Sequence, residues 1–254
     1  PTSRFAGACF TSGSAGTMSA GDYLKEQYPY SKLAVGEALQ CPTLLENGFG
    51  GHRIEGIGDK HVPWVHNVRN TDMVIDIDDE DSQNLLRLFN SEEGHKYLKE
   101  VVHVPDATIE QLSLLGISGI ANVLCCIKFA KYYELTGDDV VATVATDSAV
   151  MYESRVKELN EQQGNYSLLT AARDFSEHLH GIRTDNMAEL TYADRKRVHN
   201  LKYYTWVEQQ GKTVEELNAQ WYDHDYWTGI HEQAKDLDKL ITEFNARTGV
   251  AEKI

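Results

Sequence analysis

Between Phe5 and Ala145 short apolar runs alternate with longer segments whose apolar positions recur at helical spacing. The pattern predicts strands at Phe5–Phe10, Leu33–Glu37, Met73–Ile77 and Val140–Ala145. Helices are predicted at Thr17–Gln27, Asp81–Phe89 and Ile117–Leu135. Strands that take turns with helices imply crossover connections, hence an α/β fold with a doubly wound, mostly parallel sheet. Gly137-Asp138-Asp139 ends the long helix, and the unbroken apolar character of Val140–Ala145 predicts a strand covered on both faces.

After Tyr152 the alternation stops. Helical stretches are predicted at Glu153–Glu161, Leu168–His180, Tyr192–Gln210, Val214–Tyr222 and about Asp225–Arg247. Two begin with capping-box spacings, Thr191-Tyr-Ala-Asp194 and Thr213-Val-Glu-Glu216. The expected organisation is an α/β portion over residues 1–155 and a carboxyl-terminal helical extension over 156–254. Aromatic residues in "HNLKYYTWVEQQG" and "LNAQWYDHDYW" sit at helical spacing, as a core or subunit-contact stripe would.

Charge narrows the partners. The 254 residues carry 39 acidic against 24 basic side chains, a net charge of -15. Such a surface repels phosphate backbones and anionic lipid, and no basic cluster overrides it, so neither nucleic acid nor membrane is expected as a partner. No apolar run approaches the roughly 18 residues of a membrane span, and the first residues lack the order of a secretory signal. The expected location is cytoplasmic. Cys9, Cys41, Cys125 and Cys126 form no CxxC pair and read as reduced thiols. His178 and His180, or Asp223, His224 and Asp225, have the element types of a metal site. At i,i+2 on a helix their side chains diverge, so no metal is expected.

The most informative local stretch is "FTSGSAGTMSAGDYL". A strand that runs into small residues and then a helix turns unpaired N–H groups toward one point, where the helix dipole favours an anion, above all a phosphate. The stretch lacks the lysine of G-x-x-x-x-G-K-[ST], and Gly13 and Gly16 do not match G-x-G-x-x-G.

Three further segments follow in order: "HRIEGIGDKHVPW", "LLGISGIANVLCCIKFAKYY" and "VVATVATDSAVMYESR". With "TSGSAGT" they resemble the carboxyl-terminal half of the fold type II pyridoxal-phosphate enzymes, the cysteine synthase, cystathionine β-synthase and tryptophan synthase β superfamily. The resemblance spans about Phe5 to Arg155. It implies pyridoxal 5'-phosphate as cofactor, with Gly13, Ser14, Ala15, Gly16 and Thr17 at the phosphate cradle. Ala15 departs from a family glycine there. Gly56, Ile57 and Gly58 stand at the loop passing the substrate and cofactor ring, and Ser118 in Gly116-Ile117-Ser118-Gly119 at a helix start beside the site. By the same resemblance Ser148 meets the pyridine nitrogen; a neutral hydroxyl there favours elimination and replacement at the β-carbon of an amino acid.

The family's Schiff-base lysine, in a short S-x-K-like motif, has no counterpart here, and Lys60 beside the glycine loop reads as a rim charge. The chain is therefore expected to be a portion of a lyase or β-replacement enzyme acting on cysteine, serine or an O-activated serine. An amino-terminal half, in cis or as a second chain, would complete it, and a homodimer is expected. The alternative is a non-catalytic binding or interaction subunit that keeps the fold without the lysine.

Overall fold

The computed structural model describes residues 4–13 and 15–252. Small and apolar residues form β1 (Arg4–Thr11), β2 (Lys32–Ala38), β3 (Met73–Ile77) and β4 (Asp139–Ala142), with a short β5 at Met187–Glu189. They make one sheet in the order β4-β1-β2-β3-β5, parallel except for β5, which runs antiparallel to β3. The intervening helices are α1 (Gly16–Gln27), α2 (Thr43–Glu46), α3 (Asp79–Phe89), α4 (Glu92–Glu100), α5 (Asp106–Ile109) and α6 (Ile117–Tyr132). Then come α7 (Glu153–Gln163), α8 (Leu168–Phe175) and α9 (Tyr192–Lys202), with a π-helical turn at Ser176–His180.

Because side chains alternate along a strand, the sheet buries both faces. Cys9, Ala34, Met73 and Ile75 pack with Leu85 and Leu88 of α3 and Ile120, Leu124 and Phe129 of α6. Ala8, Phe10, Val35 and Val74 pack on the opposite face with Met18 of α1 and Val198 of α9. Each large side chain so buried contributes about 1.5–3 kcal/mol. The α/β, mostly parallel, two-faced arrangement expected from the apolar pattern is the one observed.

Three features differ from expectation. The strand predicted at Val140–Ala145 covers only Asp139–Ala142 and lies at the sheet edge, where Val140 is 45% exposed. Its apolar run packs inward only through alternate residues, and its far half leaves the sheet toward the cavity described below. The antiparallel β5 arises from a segment with no strand pattern, recruited by the other edge. Third, the chain divides between Lys202 and Tyr203. The resemblance ends near residue 155, but α7 to α9 belong to the first unit, with Ala171 and Ile182 in its core.

The second unit holds a π-helical turn at Tyr203–Val207, then α10 (Val214–Tyr222), α11 (Tyr226–Glu232) and α12 (Ala234–Thr248). Both predicted capping boxes form: Thr213 with Glu216, and Thr191 with Asp194. Cys9, Cys41 and Cys125 are buried thiols, Cys126 is half-buried, and none forms a disulfide. No helix among the described residues is long and apolar enough to cross a membrane.

One buried polar pair shapes the loops above the sheet. Glu37 and Asp76 sit opposite each other on β2 and β3, at 2% and 0% exposure. Glu37 accepts from the Leu44 and Leu45 N–H groups and so anchors α2. Neither Asp76 carboxyl oxygen has a donor from elsewhere in the protein. A proton carried by Asp76 itself or by the facing Glu37 is what can fill that gap. Burial, then the facing charge of Glu37, pushes Asp76 up to about 9; burial likewise raises Glu37 to about 7 against its backbone hydrogen bonds. Folded values above the unfolded ones mean that stability is full below about pH 4 for these groups and is lost as pH rises through 7 to 9. Asp76→Asn is expected to flatten that alkaline loss. Denaturant midpoints at pH 5 and pH 9 check it; an unchanged difference between them would discard that proton.

Candidate functional site

Chain order locates the crevice. From β1 the chain steps outward to β2 and β3, then returns to place β4 on β1's other side. The helix after β1, α1, and the helix before β4, α6, therefore pack on opposite faces of the sheet, and a cleft opens beyond the carboxyl ends of β1 and β4, where ligands of open parallel sheets bind. A cavity of about 420 Å³ lies there. Its walls come from the end of β1 and the turn into α1, from the Gly56 loop, from the start of α6, and from the segment after β4.

Asn122 holds this cleft. β1 and β4 stay paired as far as Ala8 opposite Ala142 and then part. The Asn122 side chain, 3% exposed on α6, fills the gap: its Oδ1 accepts from Thr11 N at 2.9 Å and its Nδ2 donates to Val144 O at 2.9 Å. One amide thus replaces the ladder bonds that the parting strands lose. One helical turn earlier Ser118 Oγ meets Thr146 Oγ1 at 3.0 Å, on the cavity wall.

The turn after β1 reaches α1 through Ala15, which stands in the left-handed region at φ 65° and ψ 10°. A non-glycine there costs on the order of 1–2 kcal/mol. Its methyl is 2% exposed in the cluster with Phe10 and Met18, and that burial offsets much of the strain. Gly13 is required by contact: a Cβ would stand 2.8 Å from Gly56 O. Gly16 opens α1 with nothing within 4 Å of where its Cβ would be, so the helix N-terminus looks onto open space.

The Gly56 loop is tied on both sides. Gly58 N donates to Ser12 O at 2.8 Å, and His52 Nε2 lies 3.1 Å from Gly58 O. Gly56 and Gly58 have φ of 86° and 79°, which glycine adopts without strain. Arg155 pairs with Glu55 at 2.6 Å. After β4, Tyr152 donates to Asp147 Oδ2 at 2.5 Å, and Gly116 N donates to Asp147 O at 3.0 Å, joining the start of α6 to this segment. Burial and the Asp147 bond push the Tyr152 phenol up.

Of the residues singled out in the sequence, Gly13, Ala15, Gly16, Thr17, Gly56, Ile57 and Ser118 line this one cavity. Gly58 lies behind its wall. Ser14 lies outside the described residues. Ser148 is half-buried at the start of the turn after the cleft, accepts at its carbonyl from Met151 N, and is not on the wall; Thr146 and Asp147 are. Lys60 is exposed, and among the described residues no lysine lines the cavity. Thr11, Asn122, Thr146 and Asp147 were missed. A signal for Asn122 was present: a polar residue one turn after Ser118 in the mostly apolar first half of α6.

No known family model matches the chain. Among curated proteins it is 29% identical over 147 residues to cysteine synthase B of Campylobacter jejuni, covering 56% of this chain and 40% of that protein. Over this stretch the chain is similar to the cysteine synthases. A probable cysteine synthase of Bacillus subtilis is likewise 29% identical, over 145 residues, with 57% and 40% covered. The chain thus spans about two fifths of the length of the curated relatives it matches. Among solved structures, a hydrogen sulfide-producing enzyme from Fusobacterium nucleatum superposes with a TM-score of 0.48 at 22% identity, over 67% of this chain and 45% of that one.

Proposed function

We propose that this chain is the cofactor-phosphate-binding portion of a pyridoxal-phosphate-dependent lyase or β-replacement enzyme of the cysteine synthase type. The observation that carries the reading is the anion cradle at the switch point, built from residues that the resemblance assigns to it. Ala15 in the left-handed conformation followed by the first turn of α1 makes a run of convergent N–H groups, with Gly16 leaving their approach open. The residues fit the group: the phosphate would be held by Gly13, Ala15, Gly16 and Thr17, and Ser14 is assigned with them by the resemblance. The ring would lie toward Gly56, Ile57 and Ser118.

When bound, pyridoxal phosphate withdraws electrons from the α-carbon of an amino acid. The chain's own residues grip and orient. Ile57 and Val144 give an apolar flank, and Ser118 with Thr146 presents hydroxyls on the wall. Ser148 is retained as the expected partner of the ring nitrogen, one residue beyond the wall. The substrate class is a small amino acid: cysteine, serine or an O-activated serine. The lysine and the grip on the substrate carboxylate come from an amino-terminal half, in cis or as a second chain, and a homodimer and a cytoplasmic location accompany this reading.

A second reading, a non-catalytic binding or interaction subunit, shares the lysine-free described lining of the cavity and differs in that no second half completes it. One experiment separates them. The chain alone should bind pyridoxal phosphate at least tenfold more tightly than pyridoxal, about 1.4 kcal/mol from the phosphate, and should not turn over an O-activated serine with sulfide. Adding an amino-terminal half from a cysteine synthase should restore turnover. Equal binding of the two compounds would defeat both readings; phosphate-selective binding that never gains activity would leave the second.

A further inference from the structure

A second cavity, of about 370 Å³, lies in the first unit between α3, the end of α7, α8 and the π-helical turn. We propose that it binds a free α-amino acid, with the carboxylate taken at Arg87 and the ammonium at Asn84 and Glu177. The proposal goes beyond the phosphate-cradle reading and does not rest on it.

Every residue lining this cavity is polar or charged, which excludes an apolar guest. Several of the charges are already matched. Arg173 pairs with Asp174 at 2.7 Å, Glu80 with Arg53, and His178 Nδ1 with Asp81 Oδ1 at 2.7 Å. Burial opposes a charge on His178, but the Asp81 bond together with the charges of Asp81, Asp174 and Glu177 outweighs it and raises the imidazole above its ordinary value.

Arg87 is not matched. It is 1% exposed, and its guanidinium donates only to neutral acceptors: Asn160 Oδ1, Gln163 Oε1 and the Gly164 carbonyl. It lies 4.8 Å from the Tyr166 ring. No carboxylate pairs with it among the described residues, and one Nη1 hydrogen has no acceptor. The buried Asp174 carboxylate acts on it only at longer range, beyond Tyr166; a buried cation with no carboxylate in contact is costly, and an incoming carboxylate would supply both a contacting charge and the missing acceptor.

The unmet acceptor lies on the same helix. Asn84 Oδ1 is buried and has no donor. Glu80 sets the orientation of the amide, because Nδ2 lies 3.3 Å from Glu80 Oε2 and a carboxylate requires the N–H, whereas the contact at 3.2 Å to His178 Nε2 accepts either end of the amide according to the ring's protonation. Glu177, at the rim with its side chain 63% exposed, adds a negative charge 4.0 Å from His178 Nε2. One unmatched cation beside an orphan acceptor and a rim carboxylate complements a zwitterion. A dicarboxylate or phosphate would meet the Glu177 charge and leave Asn84 Oδ1 without a donor. The π-helical turn that carries Glu177 and His178 is a rare conformation that is frequent at functional sites.

Calorimetric titration of the full chain with glycine, L-serine and L-glutamate, up to about 20 mM, tests this. At least one should bind and slow backbone hydrogen exchange over residues 168–180. Serine amide and N-acetylserine, each lacking one charge, should bind at least tenfold more weakly. Glu177→Gln should weaken the amino acid at least tenfold with an unchanged melting temperature, and Arg87→Lys should do so if it folds. Gly16→Val should leave the affinity unchanged. Silence with every probe, equal binding of succinate or of a singly charged analogue, indifference to Glu177→Gln, or loss in Gly16→Val would each overturn the proposal.

Discussion

Asn122→Ala is expected to lower stability by about 2–4 kcal/mol and to close or distort the cleft between the ends of β1 and β4. The magnitude follows from what is left behind. Thr11 N and Val144 O each lose the amide as partner, and a buried backbone group without one costs roughly 1–3 kcal/mol. Water could reach the cavity side of the gap, which keeps the sum below the upper limit. Asn122→Asp retains the acceptor for Thr11 N but removes the donor to Val144 O and sets a carboxylate against that carbonyl. It should therefore not rescue the loss. Urea denaturation reads the effect; a change under about 0.5 kcal/mol in the alanine variant would mean that the bridge does not hold the cleft.

Gly16→Val is expected to weaken pyridoxal-phosphate retention by at least tenfold, about 1.4 kcal/mol, without destabilising the fold. The two halves of this expectation have different causes. Valine's Cβ meets no atom within 4 Å beyond its own chain neighbours and its own helix, so no other part of the fold stands against the substitution. Replacing glycine also restricts the unfolded chain, which favours the native state by roughly 0.4–1 kcal/mol, less the small helix cost of a β-branched residue. The branched methyls instead occupy the space through which an anion reaches the first N–H groups of α1. A melting temperature that holds while affinity falls would identify the site. Falling stability would show that Gly16 is needed for packing, and unchanged affinity would place the phosphate elsewhere.

The sequence made the strands legible where their role was to be buried on both faces. β2 and β3 appear within a residue or two of expectation because Leu33–Glu37 and Met73–Ile77 leave no polar period to confuse with a helix. It misled at the sheet edges. Val140–Ala145 reads as central, yet its role after Ala142 is to diverge and wall the cleft. Met187–Glu189 carries no strand signal and forms β5 because β3 offers free hydrogen-bonding groups. Of the residues read from the sequence that line the cavity, three carry a backbone requirement: Gly13 by close contact, Gly56 by positive φ, Ala15 as the small residue in a left-handed turn. Asn122, Thr146 and Asp147 act through side-chain bonds across 22 to 111 positions of sequence, or through bonds that depend on where β4 ends. Periodicity carries no trace of such pairings.

The outer edge of β4 has a consequence for handling the isolated chain. Its unpaired N–H and C=O groups, with Val140 turned toward solvent, form a template onto which another extended segment can add by intermolecular pairing. Asp138 and Asp139 stand at its start, and Arg4 ties down Asp139, so the repulsion that guards this edge is partly neutralised before any partner arrives. Solubility then rests on the molecule's overall negative charge. Salt that screens it, or acid that removes it, would drive the chain toward open-ended strand stacking rather than toward a closed, countable oligomer.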